Sequence, residues 1–133
     1  MATRYHVDRW VEAHEALLTQ LETGAGMETI AQWVDASGTV LAQAVLDMVA
    51  SSVDPATGDV TFVVGTQEAS ADASGTAAVF QILDRDGVAQ LELDCQEGSS
   101  PAAGFMVMNT LTIVAGVPVE ILSFTIPAGA AIA

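Results

Sequence analysis

From Val7 to Leu21 the apolar residues Val7, Trp10, Val11, Leu17, Leu18 and Leu21 recur at spacings of three and four, and His14 falls on the same stripe. Arg9, Glu12, Glu15 and Gln20 lie mostly on the opposite side. This is the period of an amphipathic helix. The glycines of "TGAG", residues 23–26, stand where such a helix stops. Beyond Gly26 the helical period disappears, and short apolar runs alternate with turn residues. The runs predict strands near Thr29–Val34, Thr39–Val49, Val60–Thr66, Thr76–Leu83, Val88–Gln96, Phe105–Val114 and Val119–Ile126. Between them lie "DASG", "DPATGD", "EASADASG", "DRDG", "EGSSPAAG" and "AGVP".

The spacing predicts a mainly β protein: an antiparallel β-sandwich or jelly-roll-like barrel of about seven to eight strands with one N-terminal amphipathic helix. Residues 1–26 form the helix and its cap, packed on the sandwich or on a neighbouring subunit. Residues 27–133 form the β domain and end in the apolar tail "PAGAAIA". In Val88–Gln96, Ala89, Leu91, Leu93 and Cys95 point to the core, and Gln90, Glu92, Asp94 and Gln96 point to solvent. Phe105–Val114 is apolar on both faces. Phe105, Val107, Leu111 and Ile113 share one face; Met106, Met108 and Val114 share the other. Such a strand is expected to be covered twice, by the core and by the helix or a second subunit.

"DASGT" occurs at Asp35–Thr39 and again at Asp72–Thr76. Asp accepts backbone amides two residues on, and Gly takes a positive φ, so both copies read as turns of similar hairpins rather than as ligand loops.

Composition narrows the function. The chain has 133 residues, enough for one core, and a single cysteine, Cys95, so no intrachain disulfide. Seventeen acids face three arginines and no lysine, for a net charge of −14. That balance disfavours nucleic acid and anionic membranes as partners. Only 15% of residues are charged and 51% are hydrophobic, which points to exposed apolar surface and an interface.

Candidate chemistry is sparse. Asp54, Thr57 and Asp59, or Asp84 and Asp86, could offer oxygens to calcium, but neither loop carries a full ligand pattern, and solvated turns are the simpler reading. Glu92 and Asp94 share a strand face without the aromatics of a sugar cleft. His6 and His14 are too far apart on a helix for one metal, and Cys95 alternates inward as an inert thiol. No nucleophile, base and oxyanion set assembles. The expectation is no catalysis, no metal and no cofactor. Interface candidates are Val7, Trp10, Val11, His14, Leu17, Leu18 and Leu21 on the helix, with Met106 and Met108 on the strand.

The segments "SADASGTAAVFQILDRDGVAQLELDC" and "MNTLTIVAGVPVEILSFTIPAG" resemble small virion proteins of tailed bacteriophages. The likeness rests on a strand pair around an Asp-Gly turn at Asp84–Val88, an "N-T-x-x-I-V-A-G-x-P-V" stretch at Asn109–Val119, and a closing strand. It is diffuse over residues 39–128 and carries no catalytic signature. It implies a structural virion component: a capsid decoration (cement) protein on the outer surface of the head, or a tail- or neck-associated part. Its partners would be itself, as a homo-oligomer such as a trimer, and the major capsid protein or other virion subunits. Synthesis would be in the host cytoplasm. A carbohydrate-binding β-sandwich is the alternative from a different class.

Overall fold

A computed structural model describes residues 6–100, 105–119 and 123–127. Residues 1–5, 101–104, 120–122 of the expected last strand and 128–133 of the apolar tail lie outside the described residues.

The helix α1 spans Val7–Leu21. His6 caps it, its Nδ1 accepting the Asp8 amide at 3.2 Å, and Asp8 places a carboxylate in the first turn where the helix dipole favours it. The strands are β1 (Thr29–Val34), β2 (Val40–Val53), β3 (Val60–Thr66), β4 (Gly75–Thr76), β5 (Val79–Leu83), β6 (Ala89–Glu97), β7 (Phe105–Met108), β8 (Thr112–Ile113) and β9 (Ser123–Ile126). Seven of them form one sheet in the order β7-β6-β5-β1-β2-β3-β9, which curls into a nearly closed barrel. β4 and β8 pair separately as a small flap.

The barrel is mainly β with one N-terminal helix, as the period of the sequence implies. It departs from an all-antiparallel sheet at one place. β6 and β7 run parallel, with Asp94 beside Phe105 and Glu97 beside Met108. Alternation reveals a strand but not its direction, and a parallel neighbour needs only a connection long enough to carry the chain back. The expected strand Phe105–Val114 is two, broken at Asn109–Leu111, and Thr76–Leu83 is likewise split between flap and barrel.

The interior is aromatic. Trp33 of β1 meets Phe80 of β5 edge-on at 5.0 Å, Phe80 meets Phe124 of β9 edge-on at 5.3 Å, and Phe124 stacks on Phe62 of β3 at 5.2 Å. β5 and β9 are not neighbours in the sheet, so the Phe80–Phe124 contact crosses the barrel. Trp33, Phe62 and Phe80 are fully buried. The Trp33 Nε1–H has no hydrogen-bond partner inside this apolar cluster, a cost that the ring packing offsets. Small residues at Ala31, Ala42 and Ala44 make room for the rings on the adjoining strands.

The two DASGT segments differ. In the first, Asp35 Oδ1 accepts the amides of Ser37 and Thr39, each at 2.9 Å, and Gly38 has φ +93°, closing the β1–β2 hairpin. The second is not a hairpin. The amides of Asp72 and Ala73 donate to the Leu41 carbonyl, and Ser74 Oγ accepts the Ala115 amide. Gly75 has no positive φ; it is small because a Cβ there would lie 2.9 Å from Leu41 Cδ2. The hairpin conformation of the repeat is reproduced instead at Asp84–Val88. There Asp84 Oδ1 accepts the Asp86 and Val88 amides, and Gly87 has φ +82°.

A latch ties the helix to that second hairpin. Gly26 N donates to Arg85 O at 2.8 Å, Arg85 N to Thr23 O at 3.0 Å, and Ala25 N to Asp86 Oδ1 at 2.9 Å. The TGAG glycines therefore do more than stop a helix: a Cβ on Gly24 would lie 2.5 Å from the Asp86 amide, and one on Gly26 would collide with the Arg85 carbonyl oxygen. Both obstacles are backbone and cannot swing aside. Gly26→Ala is expected to destabilise the fold by about 1–3 kcal/mol, the range for overpacking. Gly65→Ala, where a Cβ meets only ordinary contacts from 3.5 Å, should stay within about 0.5 kcal/mol of wild type. Denaturant midpoints of the two variants check this ordering.

Candidate functional site

The apolar stripe of α1 turns inward. Leu21 is fully buried, Leu17 and Leu18 pack against the barrel core, and the helix lies against β2 and β6. The Thr29 hydroxyl donates to Leu21 O at 2.9 Å, fastening the end of the helix to the start of β1. His14 Nδ1 hydrogen-bonds Gly58 O in the β2–β3 loop. A carbonyl can only accept, so Nδ1 carries the proton. The Trp10 and His14 rings lie 6.4 Å apart, and Val7, Trp10 and Val11 remain half-buried. The same chain's barrel takes Leu17, Leu18 and Leu21 of the stripe.

Met106 requires a correction. Met106 is a core residue, 3% exposed, and Met108 packs on the core. Parallel register explains it: Met106 lies beside Cys95, on the inward side of β6. The outward face of β7 is instead Phe105, 44% exposed, and Val107, half-buried. Met106 is thus not available on the surface to meet a partner.

Beyond Met108 the chain forms an open groove of about 410 Å³. One wall is the end of β7, Val107 and Met108. The other is β8 with the turn that follows it: Ile113, Val114, Val117, Pro118 and Val119. Asn109, Thr110 and Thr112 supply the polar rim. The flap holds this wall in place. Ala71 N donates to Val117 O, Gly116 N to Ala71 O, Ala77 N to Leu111 O and Val119 N to Glu68 O. Glu97 Oε1 accepts the Leu111 amide at 3.1 Å from the β6 side. Val114 is 50% exposed and Val117 49%. From Phe105 to Val119 no residue is charged.

Several of the acids elsewhere are occupied with backbone. Asp35, Asp47, Asp54, Asp84 and Asp86 accept amides in turns, and Glu68 and Glu97 accept amides from Gln43 and Leu111. Glu92 and Asp94 are exposed on the outer face of β6. Among the described residues no three His, Cys, Asp or Glu side chains come together where a metal ion could sit. Outside the apolar groove, the outer surface carries a feature that period and composition did not reveal. Gln32 Nε2 donates to Gln81 Oε1 at 2.8 Å, and Gln43 Nε2 to Gln32 Oε1 at 3.0 Å, a side-chain ladder across β5, β1 and β2. The three glutamines stand in register on adjacent strands, a signal legible only once the pairing is known.

Comparison with family models, curated proteins and solved structures finds no match.

Two electrostatic outcomes can be measured. The Val88 amide, then the Asp86 amide and the Gln90 and Gln20 side chains, hold the Asp84 carboxyl below its ordinary value of 3.8, against the opposing effect of its burial. Asp35 is lowered in the same way, mainly by the Thr39 amide. Folded values below the unfolded ones mean that this stabilisation is complete above about pH 4 and is lost as pH falls through the folded values. Asp84→Asn should therefore flatten the acid limb of melting temperature against pH between about pH 5 and 2; parallel limbs would refute the role. Burial, with help from the Asp94 charge, pushes the Cys95 thiol up to about 11. At about pH 8 the native chain should react with iodoacetamide orders of magnitude more slowly than the same chain in denaturant.

Proposed function

We propose that this chain is a non-catalytic structural component of a tailed-bacteriophage virion, in the form of a decoration protein on the outer surface of the capsid. The observation that carries the reading is the apolar surface of a strongly acidic molecule. Met27 is 89% exposed and Val49 99%, and Phe105, Val114 and Val117 are between 44% and 50% exposed. Large apolar side chains left outside a well-packed barrel are suited to protein contacts. The net charge of −14 suits a surface facing away from packaged DNA. The resemblance of residues 39–128 to small virion proteins supplies the class. A barrel drawn together by cross-barrel aromatics and latched to its helix is a body suited to bridging shell subunits.

The experiment is mass spectrometry on heads and tails separated from purified virions. The expected result is the chain on heads in high copy number. Recovery in low copy on tails would shift the reading to a neck or tail part, and absence from both fractions would overturn it.

A further inference from the structure

The sheet ends at β7 and at β9, and it is β7 that adjoins the apolar groove. Among the described residues, no strand pairs with the side of β7 that faces away from β6. Unpaired edge strands are templates for pairing with another chain, and proteins usually blunt them with charge or proline. Here neither is present: Phe105–Met108 reads Phe-Met-Val-Met, and its outward side chains are Phe105 and Val107. The edge runs directly into the apolar groove, whose far wall exposes Val114 and Val117.

We infer that β7 and the adjoining groove form a self-association surface whose occupant is a second copy of this chain. Charge selects that occupant. Two molecules each carrying −14 repel, so they can approach only where charge is absent. The fifteen residues from Phe105 to Val119 carry no charge. Acids border the stretch: Asp94 and Glu97 stand beside Phe105 and Met108 on β6, Glu68 bridges to Val119, and Glu120 follows Val119 in the chain. A cationic partner would find no carboxylate on β7 itself to recognise.

The register of such a contact follows from the pleat. Met106 and Met108 face the core and Phe105 and Val107 face out. Two β7 strands related by a twofold axis keep like faces together only if inward residues oppose inward residues. Centring on Met106 satisfies this and sets Phe105 of one copy against Val107 of the other, an aromatic against a β-branched side chain, which is a favourable cross-strand pair. The groove then receives the neighbour's apolar side chains at the end of the joined sheets.

Sedimentation equilibrium of the full chain in low and in about 1 M NaCl tests the inference. Self-association is expected, and it should tighten with salt, because screening removes repulsion while leaving the uncharged contact intact. Phe105→Glu should weaken it by about tenfold or more, whereas Ala50→Glu, on the exposed bulge of β2 far from β7 in the sheet order, should not. Circular dichroism reports whether each variant is folded. Should Phe105→Glu fail to fold, Val117→Glu, on the open wall of the groove, replaces it with the same expectation. A monomer in both salts, or an oligomer indifferent to the folded variants, overturns the inference. The inference does not depend on the virion reading: a monomer in solution would leave the head and tail fractions to decide that question separately.

Discussion

The contact between Phe80 and Phe124 decides the shape of the molecule. A twisted seven-stranded sheet with free edges can stay open or curl, and it curls here because an edge strand, β9, brings a ring back across the interior to β5. Trp33 and Phe62 extend that contact to β1 and β3, so four strands share one apolar cluster. The helix then covers part of the barrel with Leu17, Leu18 and Leu21 rather than forming a layer of its own. Aromatic residues are only 5% of the chain, yet four of them stand where the sheet must be drawn together.

The second constraint is how an acid-rich chain without lysine keeps its carboxylates in place. Ion pairs contribute little. The Arg9–Glu12 pair is exposed and local on the helix. Backbone amides serve instead. Asp35 and Asp84 each gather the amides of a tight turn, and Asp84 also takes the side chains of Gln90 and, at 3.4 Å, Gln20 of the helix. The acids thereby become part of the turn geometry, and the surface between turns keeps its negative field. That field leaves β7 and its groove as the one described stretch of this length without charge.

Much of the fold could be read directly from residue order. β1 and β3 have the bounds that alternation implies, since both are clean apolar runs between turn residues. The helix follows from its three-four spacing. β2 runs on to Val53 through an irregular stretch where Asp47 Oδ1 accepts the Val49 and Ala50 amides, a bulge that resembles a turn in sequence. The site was less legible. With apolar residues on both faces of β7, nothing in the period says which face is inward, and the choice fell the opposite way for Met106. Repetition misled as well: DASGT builds a hairpin where two strands need joining, and an extended crossover where Leu41 presses on its glycine. Five residues supply a tendency, and the packing around them selects among its forms.

Phe124 lies on the last described strand and docks beside Phe62 on β3, with β5, β6 and β7 between them in the chain. During synthesis, every other ring of the cluster emerges before the one that completes it. Until β9 arrives, the nascent chain holds an open sheet with its aromatic face uncovered and the edge of β3 unpaired. Closing contacts of such long sequence separation form slowly, and an uncovered edge invites the wrong neighbour in the meantime. The dense negative charge of the chain then takes on a temporal role, keeping unfinished copies apart while each waits for its final strand.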